Sequence, residues 1–319
     1  MSNRFRPAWL LVLAALSTSA LAKAPETVNI GYQKANIFAL LKYRGTLDES
    51  LKKQGIAVRW VEFPAGPQML EGLNVGSIDL AATGDAPPAF AQAAQADLVY
   101  LAHSPANPKT EAIVVPEQSA IHSVADLKGK RVGLNKGSDV NYLLVAALEK
   151  AGLSYKDITP VYLPPADARA AFQRGAIDAW VIWDPFLAWD PFLAEVETNA
   201  KARQIRNAEG LVPHYTFYLA SRKFADTYPE TAKQVVDELG KLSAWANSHQ
   251  DEAAGLLSTS TGLDKAIWLK TLARLPYGAE RMTPAVYNEQ QALADTFTRI
   301  GLLPVKVDVR SATWSLDKP

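Results

Sequence analysis

The chain of 319 residues carries 33 basic and 33 acidic side chains, and 48% of its residues are hydrophobic. This length fits one or two globular domains, and the balanced charge argues against a nucleic-acid-binding surface. The absence of cysteine excludes disulfides, thiolate catalysis, cysteine-bound metals and the lipid-attachment cysteine of a lipoprotein.

The first 22 residues have the pattern of a secretory signal peptide. Arg4 and Arg6 precede an apolar run over 8–16, and A-L-A at 20–22 supplies the small residues before a cleavage site. The apolar run is far shorter than the ~20 residues that a membrane span needs. We therefore expect a soluble periplasmic protein whose mature chain begins at Lys23.

After this segment, short apolar stretches alternate with amphipathic ones. The predicted strands are VNIGY, VRWVEF, LAAT, EAIVV, RVGLN, ITPVYL and AWVIW. Strands that alternate with helices are typical of βαβ units and predict an α/β fold with mixed, mainly parallel sheets flanked by helices. Amphipathic runs over 229–248, 263–275 and 284–300 predict a helical C-terminal part.

Two pairs of segments resemble each other within the chain. LNVGSIDLAATGDAPP (73–88) aligns without gaps on FQRGAIDAWVIWDPFL (172–187), at an offset of 99. IGYQKAN (30–36) aligns on VGLNKGS (132–138), at an offset of 102. Ordered matches at nearly equal offsets favour two related lobes over a chance similarity of helix ends.

The aligned segments place four loops at strand ends. They cover residues 33–36, 84–88, 136–138 and 183–185. Ligands of open α/β sheets bind beyond the carboxyl ends of strands, where helix N-termini present free N–H groups. We therefore expect a ligand cleft between the two lobes, with Asp85, Ser138 and Asp184 as helix N-caps.

The cleft loops contain hydrogen-bond donors with little formal charge. Gln33, Asn36, Ser138 and the backbone beside Gly84 and Gly137 can donate, and helix N-termini add to an anion site. A second group of loop residues can form an apolar wall: Pro87, Pro88, Trp183 and Phe186. An oxyanion with a small organic tail fits this mixture, while Lys34 and Lys136 are interpreted as solvated.

Enzyme signatures are absent from the sequence. The four histidines show no metal-binding spacing, and no G-x-S-x-G, G-x-x-x-x-G-K-[ST] or G-x-G-x-x-G motif occurs. We therefore expect a binding protein without catalytic residues, cofactor or metal. Among the histidines, His214 stands out because it precedes the strand-like YTFYLA, near a predicted crossing between the lobes.

Many motifs, in order, resemble one known family. They include GYQK, WVEFPAGPQMLEGLNVGSIDL, FAQAAQADLVY, ADLKGKRV, KGS, PADARAAFQRGAIDAW, IWDP and FYLA. The chain is similar to the aliphatic-sulfonate-binding proteins of bacterial ABC importers from Val28 to about Ala220. The resemblance implies a two-lobe periplasmic binding protein fold of type II. Such a protein closes on an alkanesulfonate and delivers it to a membrane permease for sulfur supply.

The resemblance also implies a ligand site and a division into lobes. The family's site, carried over by position, comprises Gln33, Gly84, Asp85, Gly137, Ser138, Trp183, Asp184 and Thr216. Asp85 and Asp184 are expected to cap helices and orient neighbours, or to meet a cationic substituent on the ligand. The first lobe is expected to comprise 27–110 and 216–319, the second 111–215, with crossings near 109–111 and 214–216. We expect a monomer that partners an ABC permease and does not bind nucleic acid.

The sequence departs from the family pattern at two places. Asp139 follows KGS, would repel an anion if it pointed inward, and is expected at the rim. The unit WDPFLA occurs twice, at 183–188 and 189–194. In one continuous helix, six residues turn about 600°, so Trp189 would face away from Trp183; we expect only the first copy to meet a ligand.

Alternatives to a sulfonate stay open at this point. A protein of the same class could bind taurine, nitrate or a related oxyanion, and the sequence does not separate these ligands. An enzyme related to the thiamine-pyrimidine synthases is the rival from another class. That family needs a cysteine-rich catalytic motif and a cofactor, and the chain has no cysteine.

Overall fold

A computed structural model describes residues 24–34, 36–184, 192–199 and 201–316. The predicted signal peptide and the Trp-Asp-Pro of the second WDPFLA copy lie outside these residues. Within the described ranges, no helix combines the length and hydropathy that a membrane crossing requires.

The described residues form eleven strands and twelve α-helices. The strands are β1 (Thr27–Tyr32), β2 (Ala57–Glu62), β3 (Leu80–Thr83), β4 (Leu98–His103), β5 (Glu111–Pro116), β6 (Arg131–Leu134), β7 (Thr159–Tyr162), β8 (Ala179–Trp183), β9 (Ala202–Asn207), β10 (Phe217–Ser221) and β11 (Glu280–Arg281). The helices are α1 (Ile37–Arg44), α2 (Thr46–Lys52), α3 (Gly66–Asn74), α4 (Ala86–Ala93), α5 (Asp139–Lys150), α6 (Pro165–Gln173), α7 (Phe192–Asn199), α8 (Arg222–Thr227), α9 (Pro229–Ser248), α10 (Gln250–Thr261), α11 (Lys265–Leu272) and α12 (Pro284–Arg299).

The strands form two mixed sheets, and each sheet is the centre of one lobe. The first lobe holds strands in the order β11-β4-β10-β3-β1-β2, and the second lobe β7-β6-β8-β5-β9. β1 pairs in parallel with β2 and β3, as β6 does with β7 and β8. β10 and β5 run antiparallel to both neighbours, because the chain enters each of them directly from the other sheet.

The internal repeat predicted from the sequence forms matching contacts in both lobes. In the first lobe, Asp79 accepts the backbone N–H of Asn29 at 2.8 Å. In the second, Asp178 accepts the backbone N–H of Arg131 at 2.8 Å. Each carboxylate thus joins the segment before a central strand to the start of its parallel neighbour. The prediction of two related lobes is confirmed at these positions.

Two glycines at matching positions, Gly31 and Gly133, explain another part of the repeat. A Cβ on Gly31 would lie 2.5 Å from Ile78 Cδ1, and a Cβ on Gly133 would lie 2.3 Å from Ile177 Cδ1. A larger side chain at either glycine would force the isoleucine to move, which a close-packed interior resists. Each central strand therefore favours a glycine where the isoleucine before the next strand crosses it.

The C-terminal part is helical, as the sequence predicts. α9 coincides with the predicted run over 229–248, and α11 and α12 fall within the other two runs. The buried apolar face of α9 recurs at helical spacing: Ala232, Val235, Val236, Leu239, Leu242 and Ala246.

The crossing segments hold each other through backbone hydrogen bonds. Ser104 N–H donates to the Thr216 carbonyl at 2.8 Å, and Asn107 N–H donates to the His214 carbonyl at 2.9 Å. His214 has a positive φ of 52°, which is uncommon outside glycine. The paired segments form the connection between the two sheets.

Candidate ligand-binding site

The nine residues predicted to bind a ligand are all buried. In the first lobe they lie at one edge of the sheet, because they follow β1 and β3 or precede β10, and these strands are neighbours. In the second lobe they follow β6 or lie at the end of β8, which are also neighbours. All nine predicted residues therefore lie in the interior of the protein.

The lobes touch directly through α4, α5 and α12. Gly137, with a φ of +72°, packs so closely on Phe90 that a Cβ would lie 3.3 Å from the ring. Its N–H donates to Asn141 Oδ1 at 3.2 Å, so the backbone donor expected for a ligand is already in use. Arg299 and Glu149 form an ion pair at 2.7 Å across the same interface.

Three of the predicted residues hold donors that have no hydrogen-bond partner among the described residues. They are Gln33 Nε2, Trp183 Nε1 and Thr216 Oγ1. Each side chain is 1% exposed, so water does not satisfy these groups from outside. A buried polar group without a partner costs about 1–3 kcal/mol. This arrangement suits a ligand that brings several acceptor oxygens and no proton.

Two other predicted residues use their side chains within the protein. Asn36 caps α1, where its Oδ1 accepts the Ala39 N–H at 3.0 Å. Ser138 occupies the N-cap position of α5 but makes no cap hydrogen bond. Its hydroxyl turns back and donates to the Asn135 carbonyl at 2.7 Å. The prediction of a Ser138 side-chain cap is therefore wrong.

The prediction that Asp85 caps α4 is also wrong. Asp85 has an α-helical backbone conformation and makes no side-chain cap hydrogen bond. A carboxylate from the other lobe takes that role, because Asp139 Oδ1 accepts the Ala86 N–H at 2.9 Å. A Cβ on Gly84 would lie 2.0 Å from Asp139 Oδ2, so only glycine permits this approach.

The expectation that Asp139 lies at the rim is therefore wrong. The residue is only 6% exposed and sits in the cleft itself. The Ala86 N–H and the positive end of the α4 dipole stabilise its charge there. The N-terminus of α4 was expected to help bind a ligand anion. Its Ala86 N–H instead binds the protein's own carboxylate, that of Asp139.

Asp184 binds groups from both sides of the cleft. Its Oδ1 accepts the Ala194 N–H in the first turn of α7 at 2.6 Å. Asp184 lies eight residues before α7, and the residues that directly follow it are outside the described ranges, so its predicted role as an N-cap stays a prediction. Its Oδ2 pairs with Arg274 Nη1 at 2.9 Å. Burial raises the pKa of Asp184 to about 7, although Arg274 and the Ala194 amide act in the opposite direction.

Arg274 is a site residue that the sequence did not reveal. It follows α11 in the C-terminal part and joins Asp184 to Glu197 on α7, at 2.9 and 2.5 Å. Lys270 adds a further contact with Glu197 at 2.7 Å. No local motif marks Arg274, because its partners lie 77 and 90 residues away.

A second buried ion pair lies where the crossing segment meets the cleft. His214 Nδ1 is 3.1 Å from Glu111 Oε2, and both side chains are 1% exposed. Burial raises the pKa of Glu111. Burial alone would lower the pKa of His214, but Glu111, Asp139 and Asp85 raise it to about 10.

The ion pair between His214 and Glu111 is expected to make the protein less stable at alkaline pH. The pKa of His214 is about 10 in the folded protein and about 6.5 when unfolded. Its contribution is therefore complete below pH ~6.5 and is lost as the pH rises towards ~10. We expect the free energy of unfolding to drop by roughly 2–4 kcal/mol between pH 6.5 and 9.5, measured by urea unfolding.

The matched control for this measurement removes the pair. The double variant His214→Asn and Glu111→Gln keeps two polar side chains, and asparagine tolerates the positive φ at position 214. We expect a flatter profile over the same range. Parallel profiles for the two proteins would contradict a role of this pair in the pH dependence.

Comparison with known proteins agrees with the architecture. A family model described as NMT1/THI5 like matches residues 51–253. An aliphatic sulfonates-binding protein of Escherichia coli (strain K12) is 43% identical over 306 residues, which cover 95% of this chain and 93% of the relative.

Two solved structures show the same fold. The alkanesulfonate-binding protein SsuA from Xanthomonas axonopodis pv. citri, bound to MOPS, is 43% identical with a TM-score of 0.85 over 92% of this chain and 100% of that chain. The periplasmic aliphatic sulphonate binding protein SsuA from Escherichia coli is 42% identical with a TM-score of 0.84, over 91% and 92% of the two chains.

Two α/β lobes with buried donors at the ends of their central strands define the class, the two-lobe solute-binding proteins. The chain belongs to the family of aliphatic-sulfonate-binding proteins, and so to the NMT1/THI5-like proteins. The fold and the family that the sequence motifs predicted are therefore confirmed.

Proposed function

We propose that this protein captures aliphatic sulfonates in the periplasm and delivers them to an ABC-type permease for sulfur acquisition. The observation that carries the proposal is the set of three buried donors without partners, at Gln33, Trp183 and Thr216. A sulfonate offers three acceptor oxygens and carries no proton near neutral pH. Neutral donors can therefore bind it without a buried counter-charge.

The rest of the predicted site has supporting roles in this proposal. Gly84 and Gly137 allow close approach between the lobes, and Asn36 and Ser138 fix the loops that carry the donors. The Trp183 ring supplies an apolar wall for the carbon chain. Asp85 and Asp184 shape the cleft and do not contact the sulfonate oxygens, since carboxylates repel them.

The proposed action is binding and release without chemistry. Lobes with the boundaries 27–110 plus 216–319 and 111–215 would open about the paired crossing segments. The protein would act as a monomer, because binding and presentation to a permease need only one closed pair of lobes. The mature chain would begin at Lys23 after removal of the signal peptide.

A ligand screen tests the proposal directly. Short alkanesulfonates should raise the melting temperature, because a ligand at a hundredfold excess over Kd stabilises the folded state by roughly 2.7 kcal/mol. Sulfate should stabilise less, since it leaves the wall at Trp183 uncovered. The screen must avoid sulfonate buffers. Stabilisation by nitrate or sulfate alone would favour the alternative oxyanion function instead.

A further inference from the structure

A carboxylate of the second lobe lies against the first-lobe loop that follows β3. Asp139, the first residue of α5, is 6% exposed, and its Oδ1 accepts the Ala86 N–H at 2.9 Å. Its Oδ2 occupies the space that a Cβ on Gly84 would need. The Asp139 carboxylate therefore ends directly beside the Gly84 backbone, at the edge of the first sheet where the predicted site residues lie.

Two of the buried donors without described partners lie on either side of this loop. β10 and β3 are antiparallel, and their register places Thr216 next to Gly84. β1 runs parallel to β3 on its other side, and Gln33 follows β1 at the same edge of the sheet. Neighbouring strands are only about 4.8 Å apart. An oxyanion held by Gln33 and Thr216 is therefore close enough to Asp139 for a direct interaction between their charges.

The histidine on which the charge of Asp139 acts already has a partner. His214 Nδ1 lies 3.1 Å from Glu111 Oε2, and both side chains are buried. An ionised pair of this kind has no net charge, so it leaves the charge of Asp139 without full compensation. Burial and then the charge of Asp139 raise the pKa of Asp85 well above its usual range, so Asp85 takes up a proton and adds no charge. The net charge of this part of the cleft is therefore that of Asp139.

We propose that Asp139 is a specificity-determining residue, which makes the cleft reject doubly charged oxyanions such as sulfate more strongly than singly charged sulfonates. The inference rests on the proposed function and deepens it. Coulomb repulsion is proportional to the charge of the ligand, so a fixed carboxylate disfavours a dianion about twice as much in free energy as a monoanion at the same position. This exclusion is separate from the apolar wall at Trp183, which acts on the carbon chain of the ligand.

The test uses methanesulfonate and sulfate, two tetrahedral anions of similar size that differ by one charge. Calorimetric displacement of propane-1-sulfonate, at constant ionic strength in Tris-chloride buffer, gives the Kd of both anions for wild type and for Asp139→Asn. Asparagine keeps an oxygen that can accept the Ala86 N–H and removes the charge. The factor by which the variant strengthens sulfate binding should be about the square of the factor for methanesulfonate, for example ~16-fold against ~4-fold.

The matched control is Asp167→Asn, the same substitution in the first turn of α6, where the side chain is exposed. It removes the same charge from the protein as a whole and should leave both Kd values unchanged. The two anions are compared within each variant, so a general loss of stability cancels. Asp139→Ser, which also removes the charge, gives a second route if Asp139→Asn does not fold.

The possible outcomes separate the two hypotheses. If wild-type protein binds neither methanesulfonate nor propane-1-sulfonate, the proposed function is wrong. If it binds them and Asp139→Asn changes both anions by the same factor, or changes neither, sulfonate binding stands and the role of the Asp139 charge is refuted. Sulfate that displaces no sulfonate from Asp139→Asn would refute that role as well. Equal effects of Asp139→Asn and Asp167→Asn would assign the selectivity to the overall charge of the protein instead.

Discussion

Trp183→Ala is expected to raise the Kd for a short alkanesulfonate by more than tenfold, or about 1.5 kcal/mol or more. The indole lies at the end of β8, is 1% exposed, and its Nε1 has no partner among the described residues. The substitution removes both a donor and the apolar wall. Calorimetric titration with propane-1-sulfonate measures the effect.

Two further variants show which part of the indole acts. Trp183→Phe keeps an aromatic ring and loses the N–H, so its affinity should fall between those of wild type and the alanine variant. Trp180→Phe is the matched control, because Trp180 lies on the opposite face of the same strand and packs on Phe172. It should change stability and leave the Kd unchanged.

The second WDPFLA copy gives a contrasting prediction. Trp189 lies outside the described residues, so its position stays a prediction from the sequence. Trp189→Ala should lower stability and spare affinity, since six residues of continuous helix turn about 600°, about 240° beyond one full turn, so that Trp189 would face away from Trp183. Loss of binding in Trp189→Ala, with intact binding in Trp183→Ala, would show that the assigned register is displaced by the repeat.

Arg274→Leu is expected to lower the free energy of unfolding by about 3 kcal/mol, because it leaves the buried Asp184 carboxyl without its partner and the group must then take up a proton or stay charged in the interior. Asp184 is fully buried and pairs with Arg274 at 2.9 Å. With Arg274 removed, the Ala194 amide alone remains to oppose the effect of burial on the Asp184 pKa. Urea unfolding at pH 7.5 measures the loss.

A neighbouring lysine provides the control. Lys270 lies four residues earlier and pairs with Glu197, but its side chain is 39% exposed. Lys270→Met should therefore cost less than ~1 kcal/mol. Adding Asp184→Asn to Arg274→Leu should recover part of the lost stability, since it removes the unpaired charge. Equal losses for Arg274→Leu and Lys270→Met would contradict the buried-pair interpretation.

The sequence by itself determined the class of fold. The alternation of strands and helices depends on local periodicity, which burial of one face imposes on each element. The repeat at offsets of 99 and 102 marked two related lobes, because Gly31 and Gly133 face the same packing constraint. Loops that follow central strands must lie at the edge of the sheet where ligands bind.

The sequence also predicted which side chains lie at the ends of the central strands, but the role of each side chain depends on the residues that surround it in the fold. Gln33, Trp183 and Thr216 are the buried donors without described partners, whereas Asn36 and Ser138 bind their own backbone. Local spacing predicts which residues follow a strand. It does not predict whether a side chain turns forward to a ligand or back to the loop.

Only the tertiary structure showed where the charged side chains of the cleft lie and which groups they bind. Asp139 belongs to one lobe and caps a helix of the other, 53 residues away in the chain, so no local pattern could place it inward. Arg274 reaches Asp184 across 90 residues. The physical reason is common to both: a charge can be buried only where another part of the chain supplies its hydrogen bonds, and these partners, distant in sequence, come together only in the folded chain.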